Sequence, residues 1–222
     1  MSPPLAVAVL VSGRGSNLQA LIDACREGRV NARIIGVFSD RIEAPALRRA
    51  EAAGIPTVAL APRNYPSRIA YDQELFTRVA AFAPELVVLA GFMRILSAPV
   101  VEAWSGRMIN IHPSLLPRHP GLDTHRRALE ARDREHGASV HFVIPAVDAG
   151  PVIARVRIPI EAWDDPQSLA ARLLPREHAL LTATLGLFAE RRLAWTKAGV
   201  QLDGRILERP LELGPDDRWS PH

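Results

Sequence analysis

Apolar positions follow two regimes along this chain, unbroken runs and helical spacing, and their alternation lays out the elements. Leu5 to Val11 is a continuous apolar run, and Glu85 to Ala90 is nearly one. Such runs suit strands buried on both faces of a parallel sheet. Arg33 to Phe38 predicts another strand, and Thr57 to Leu60 a short one entered through Pro56. Between them the period lengthens: Leu18, Leu21, Ile22 and Cys25 fall at i, i+3, i+4 and i+7, one buried helical face. Ala44 to Ala53 predicts a helix closed by Gly54, and Ser67 can cap a helix to about Phe82 with Tyr71, Leu75, Phe76 and Val79 inward. Strand and helix alternate, so the expected core is a right-handed parallel sheet.

In Met108 to His112 the side chains alternate, with Ile109 and Ile111 on one face and Asn110 and His112 on the other. Pro113 removes a ladder donor and ends the strand, leaving the amide and the imidazole at its carboxyl edge. Ligands bind at that edge in open parallel sheets. Taken alone, His112 reads sooner as a satisfied histidine at a strand end, and Asn110 as a turn residue. Pro120-Gly121 turns the chain, and Thr124 can cap a helix to about Arg132. From Ala138 the alternation changes. Ser139, His141 and Val143 interleave with Val140, Phe142 and Ile144, and Asp148 to Pro151 reads as a tight connection to a strand over Val152 to Ile158. This predicts an antiparallel, hairpin-like addition. Asp148 by itself reads as a turn residue. Ser168 to about Leu193 is a long helical pattern that Pro175 is expected to kink or interrupt.

The expected fold is α/β: a Rossmann-like, mostly parallel open sheet with helices on both faces and an antiparallel C-terminal addition. Residues 1–193 form the domain, and 194–222 a peripheral tail of the same domain with a short hairpin at Asp203-Gly204. No repeat, linker or low-complexity stretch interrupts it. At 222 residues, 48% hydrophobic and 23% charged, the chain can bury a sizeable core.

Charge and cysteine usage narrow the chemistry. The formal charge is +3, yet Lys197 is the only lysine, which argues against Schiff-base chemistry and leaves arginine to meet phosphate or carboxylate. Pairs such as Arg48-Arg49, Arg126-Arg127 and Arg191-Arg192 read as solvated helix faces. With aromatics at 5% and no motif, no nucleic-acid partner is expected. Cys25 is the single cysteine, so an intramolecular disulfide is excluded. Leu5 to Val11 is too short to span a bilayer and follows no basic region, so a cytoplasmic protein without a membrane partner is expected.

Ser12-Gly13-Arg14-Gly15-Ser16-Asn17 joins the first strand to a helix N-terminus, an arrangement that can cradle an anion. Leu18 stands where a dinucleotide fingerprint needs glycine, and no lysine follows as in a P-loop. A single phosphomonoester or an ordinary tight turn remains, and in the first case a side chain at Gly15 would stand in the anion's place. Arg68, in the first turn of its helix, is either functional or solvated. Gly91 to Leu96 leaves the strand edge as an apolar loop that either clasps a flat ligand or packs on the core. The seven histidines lack HExxH spacing, and no Gly-x-Ser-x-Gly elbow is present, so neither a metal nor a serine nucleophile is expected.

Ser12 to Asn17, Gly91 to Leu96, Asn110 to Pro117, and His136 to Phe142 with Asp148 together resemble the phosphoribosylglycinamide formyltransferases, folate-dependent enzymes of purine synthesis, over about residues 5 to 195. The resemblance implies a formyltransferase fold and direct transfer of the formyl group of the cosubstrate 10-formyltetrahydrofolate to the amine of 5'-phosphoribosylglycinamide. It implies Asn110, His112 and Asp148 as the catalytic set. Gly15, Ser16, Asn17 and Glu177 would hold the ribotide; Arg68, Met93, Arg94, Ile95, Leu96 and Asn110 the folate, with residues 144–148 lining the pterin. Three positions depart from the family pattern: Arg14 at a variable site, Asp123 where some members have histidine, and Ala149 in place of a glycine.

In this chemistry an amine attacks a formyl carbon, so the site must supply donors to an oxyanion and a path for the amine proton. Asn110 and a protonated His112 are suitable donors, and Asp148 is expected to favour the imidazolium by charge pairing. A formyltetrahydrofolate deformylase would share these residues but carry a regulatory domain ahead of Leu5. A methionyl-tRNA formyltransferase would need an RNA-binding domain beyond residue 194, and a non-catalytic phosphate-binding module would leave Asn110, His112 and Asp148 unexplained. Small-molecule partners and a monomer or homodimer are expected.

Overall fold

The computed structural model describes residues 3–220. Its main sheet has eight strands, ordered from one edge as β11 (Leu211–Glu212), β7 (Val152–Pro159), β6 (Glu135–Phe142), β5 (Met108–His112), β4 (Leu86–Leu89), β1 (Leu5–Val11), β2 (Ala32–Ser39) and β3 (Thr57–Ala59). Strands β1, β2, β3, β4 and β5 are mutually parallel. β6 runs antiparallel to β5, and β7 antiparallel to β6. This is the expected Rossmann-like sheet with an antiparallel addition.

The apolar runs become two cores because successive side chains leave a strand on opposite faces. Val7, Val9 and Val11 of β1 join one cluster, while Ala8 and Leu10 join the other. The first cluster packs under α1 (Ser16–Arg26), α2 (Pro45–Ala52) and α6 (Pro166–Ala189), and the second under α3 (Arg68–Ala81) and α4 (Ala98–Ala103). Ile109 and Ile111 belong to the first cluster and Met108 to the second, so Asn110 and His112 lie on the α3 and α4 face of the sheet. Truncating the fully buried Leu10 to alanine would cost about 2–5 kcal/mol.

Several local expectations are met and others corrected. The Ser67 hydroxyl accepts from the Ala70 amide at 3.1 Å and caps α3. Thr124 is instead the first residue of α5 (Thr124–Glu130), behind a left-handed Asp123 that makes no side-chain cap. Asp165 and Ser168 form the capping box that starts α6. Pro175 does not interrupt that helix. Pro175 and Ala171 are both exposed, so the backbone hydrogen bond that the proline removes lies on the surface side of the helix. The six-residue α4 is too short to register as a helical period. The β6–β7 connection occupies residues 143–151 and is longer than the tight turn expected.

Beyond α6, β8 (Leu193–Thr196), β9 (Gly199–Leu202) and β10 (Arg205–Ile206) make a small antiparallel sheet, with the expected hairpin at Asp203-Gly204. β11 (Leu211–Glu212) then returns to pair parallel with β7, and Leu211 and Leu213 enter the first core cluster.

Candidate active site

Parallel order reverses between β1 and β4, and the two loops leaving their carboxyl ends meet there. The Ser12 amide donates to the Gly91 carbonyl at 3.1 Å. The Ser12 hydroxyl donates to Asp40 Oδ1 at 2.5 Å and accepts from the Met93 amide at 2.8 Å. One serine therefore braces both candidate binding segments at the crevice where open sheets hold ligands.

Gly15 has φ 74°, a left-handed conformation that suits glycine, and it precedes α1 without a side-chain cap. The first-turn amides of Ser16 and Asn17 are thus left to an external acceptor. A Cβ at Gly15 would lie 2.5 Å from Ala46 Cβ and 2.8 Å from Ala46 Cα. The steric expectation is corrected: a side chain there meets α2, not the anion. Asn17 Nδ2 donates to Glu177 Oε2 at 3.3 Å, which joins α1 to α6. Burial raises the Glu177 pKa to about 7, with the Asn17 hydrogen bond opposing it.

Asn110, His112 and Asp148 converge. Asp148 Oδ1 is 3.5 Å from Asn110 Nδ2 and from His141 Nε2, and its Oδ2 is 3.4 Å from His112 Nδ1. The Gly121 amide donates to Asp148 Oδ2 at 2.8 Å. Asp148 takes φ 51°, and the connection that carries it is fixed at Gly150, where a Cβ would lie 1.8 Å from the Phe142 carbonyl oxygen. Burial pushes the Asp148 carboxyl up, but its contact with His141, the Gly121 hydrogen bond and the neighbouring His112 outweigh it and hold the pKa low.

Burial also dominates at His112 and lowers its pKa; the His119 carbonyl and Asp148 oppose that shift without overcoming it. Burial thus opposes the imidazolium, while the Asp148 carboxylate at 3.4 Å favours it. His112 Nε2 lies 3.0 Å from the His119 carbonyl oxygen, which can only accept, so Nε2 carries the hydrogen. Nδ1 faces the Asp148 carboxylate, which can also only accept.

His141 completes the cluster, although sequence reasoning held it only in reserve. It is 2% exposed and pairs across the sheet with Asn110. Strand alternation places it on the same face as Ser139, and the antiparallel register sets it opposite Asn110. Its Nδ1 is 2.9 Å from the Phe142 carbonyl oxygen and so donates, leaving Nε2 to accept from Asn110 Nδ2 at 3.1 Å.

The folate candidates divide by exposure. Met93 and Ile95 are 62% and 54% exposed, whereas Leu96 is 6% exposed and packs in the second core cluster. The Arg94 guanidinium stacks over the Tyr71 ring at 4.9 Å. Arg68 is exposed at the start of α3. Leu122 and Val147, both exposed, flank Gly121 and Asp148 in sequence. Of the departing positions, Asp123 pairs with Arg126 at 2.5 Å on the surface. Imidazoles nevertheless surround the site, because His125 and His136 lie 3.0 Å apart and burial lowers both, His136 to about 4. Among the described residues, no group of three or more His, Cys, Asp or Glu side chains is placed to hold a metal, and no helix is long and apolar enough to cross a membrane.

Residues 5–185 match the family model described as Formyl transferase, and the chain belongs to that family. The phosphoribosylglycinamide formyltransferase of Escherichia coli (strain K12) is 48% identical over 201 residues, 90% of this chain and 95% of that protein. A solved phosphoribosylglycinamide formyltransferase from Coxiella burnetii superposes with a TM-score of 0.88 at 45% identity, covering 92% of this chain and 96% of that one. A formyltetrahydrofolate deformylase from Pseudomonas putida KT2440 is more distant, with a TM-score of 0.77 at 25% identity, covering 90% of this chain and 70% of that one.

Proposed function

We propose that this chain is a phosphoribosylglycinamide formyltransferase, moving the formyl group of 10-formyltetrahydrofolate to the ribotide amine. The observation that carries the reading is the meeting of Asn110, His112 and Asp148 at the edge of a sheet whose glycine loop opens at the same switch point. Likeness to transferases at 48% and 45% identity, against 25% for the deformylase, supports an amine over water as acceptor.

Each residue has a part set by its chemistry. The free amides of Ser16 and Asn17, behind Gly15, receive the phosphate of the ribotide, and Glu177 contacts its glycinamide end. Arg68, the Met93 to Ile95 loop and residues 144–148 hold the folate. Asn110 offers its second N–H to the oxyanion that forms when the amine attacks the formyl carbon. The His112–Asp148 pair takes the proton the amine releases. When the bond from formyl carbon to N10 breaks, that proton passes to the departing nitrogen. The balance is one C–N bond formed, one broken and one proton moved, with no covalent enzyme intermediate. The reading fits small-molecule partners, a cytoplasmic location and no resident metal.

The test is to incubate the protein with 10-formyltetrahydrofolate, with and without the ribotide, and follow tetrahydrofolate release. Release that requires the ribotide is expected. Equal release without it would make the protein a hydrolase, and none under either condition would make it a binding module.

A further inference from the structure

A helix face turned to a sheet is expected to be apolar, and α3 departs from that rule at one position. Its buried face carries Tyr71, Asp72, Leu75, Phe76 and Val79, and Asp72 is 0% exposed. Burying a carboxyl group among such neighbours is costly unless it is bonded. Among the described residues Asp72 makes a single hydrogen bond: its Oδ2 accepts from the Ser97 amide at 2.7 Å, while Oδ1 has no partner. The acid thus serves one backbone amide. That amide closes the loop assigned above to the folate. Ser97 is the N-cap of α4, and its carbonyl accepts from the Val100 and Val101 amides, both at 3.1 Å. Near the other end of the loop, the Ser12 hydroxyl accepts from the Met93 amide. Between these two ties the side chains divide: Phe92 and Leu96 pack in the second core cluster, whereas Met93 and Ile95 are exposed. A short irregular segment that turns apolar side chains to solvent has little packing to fix them, so its backbone ties decide where they stand.

We propose that Asp72 is a positioning residue for the folate, holding the C-terminal end of the Met93 to Leu96 loop through the Ser97 amide so that Met93 and Ile95 stand in place before the ligand arrives. Asp72 lies beneath the loop and is not itself a ligand contact, and the proposal rests on the assignment of this loop to the folate. The physical reason is preorganisation: a loop ordered in advance removes a cost that binding would otherwise meet. An apolar residue at position 72 would suit the core better but leave the Ser97 amide without an acceptor, and a buried donor left unpaired is expensive. Asparagine would keep the accepting oxygen. The role is therefore tied to an acceptor at this place and not to side-chain size.

The test compares the full-length wild type with Asp72→Leu, close in size but without an acceptor, and with Asp72→Asn. Amide exchange is read by NMR of the ligand-free protein, and tetrahydrofolate affinity by fluorescence titration. In the wild type the Ser97 amide should exchange slowly, although it lies outside any strand ladder. In Asp72→Leu that amide should exchange about 10-fold faster or more, and the Kd for tetrahydrofolate and the KM for 10-formyltetrahydrofolate should rise roughly 10-fold, the scale of re-ordering one or two side chains on binding. The ribotide KM, and kcat at saturating folate, should stay within about two-fold, a split that a general loss of structure would not give. Asp72→Asn should keep both the slow exchange and the affinity. Should Asp72→Leu not fold, Asp72→Ala gives the same comparison, and the wild-type exchange rate needs no variant. Rapid Ser97 exchange in the wild type, unaltered tetrahydrofolate affinity in the folded leucine or alanine variant, or equal loss in Asp72→Asn would overturn the proposal. A wild type that binds no tetrahydrofolate would count against the folate reading of the loop, whereas Ser97 exchange in the variants would still decide whether Asp72 holds it.

Discussion

Asn110 and His141 face one another across β5 and β6, with the Asn110 side-chain nitrogen 3.1 Å from His141 Nε2. Because His141 Nδ1 donates to the Phe142 carbonyl, the pair has only one sense, and it fixes which end of the Asn110 amide points into the site. One Asn110 N–H is thereby occupied. The other has only the loose 3.5 Å contact to Asp148, which leaves it free to strengthen toward an oxyanion during reaction.

Asp148→Asn should keep the fold, because the Asn oxygen can still accept from the Gly121 amide. Turnover should fall by roughly 10² or more, the scale of acid–base groups. Asp148 raises the His112 pKa against burial, so its loss should move the His112 titration further toward acid. A pH–rate profile checks both parts, and near-normal turnover at neutral pH would return Asp148 to the role of a turn residue.

Glu177 predicts a pH dependence of stability. Its carboxyl has a pKa of about 7 in the folded protein against an ordinary 4.5, so the folded state binds more protons between those values. Stability should therefore fall as pH rises from about 4.5 to about 7, by on the order of 3 kcal/mol at most. Glu177→Gln should flatten this slope in urea titrations of the ligand-free protein. A slope unchanged by the substitution would locate the titration elsewhere.

Gly15→Val should lose ribotide binding and some stability together. The new side chain meets Ala46 on α2, and valine resists the left-handed backbone at φ 74°. A cost of about 1–3 kcal/mol is expected from overpacking. Folate affinity, read by fluorescence titration, should change little. The reverse pattern, folate lost and ribotide retained, would exchange the two subsites.

Gly150→Ala should weaken catalysis at a distance from the reacting atoms. With its Cβ directed at the Phe142 carbonyl, alanine must displace the connection that carries Asp148. A drop in kcat of about 10² is expected, as for small misplacements of catalytic groups. Wild-type kcat would show that Asp148 keeps its place without that glycine.

The two-core sheet was legible because alternation in Leu5 to Val11 and Met108 to His112 has only one consistent burial. Asn110 and His112 were legible for the same reason: two polar residues with a period of two in an apolar strand have a face and an edge. Asp148 was legible only through family resemblance, since a turn aspartate looks the same whether or not its loop reaches His112. His119 could not be found from residue type at all, because it acts on His112 through a backbone carbonyl. Pro175 left open whether the long helical pattern would be kinked or broken, and α6 runs through it without a break. α4 and β11 were too short for any period to show.

The return of β11 to the sheet has a consequence for self-association. A long unpaired edge is a template on which another chain can add a strand. At one border that edge would be β7, but β11 covers part of it, and Arg157 of β7 pairs with Glu135 and Glu212, laying charge along the margin. The opposite border ends in β3, whose ladder with β2 joins only Thr57, Val58 and Ala59. Both rims are thus blunted against cross-β aggregation, and strand addition is a poor route for two copies to join.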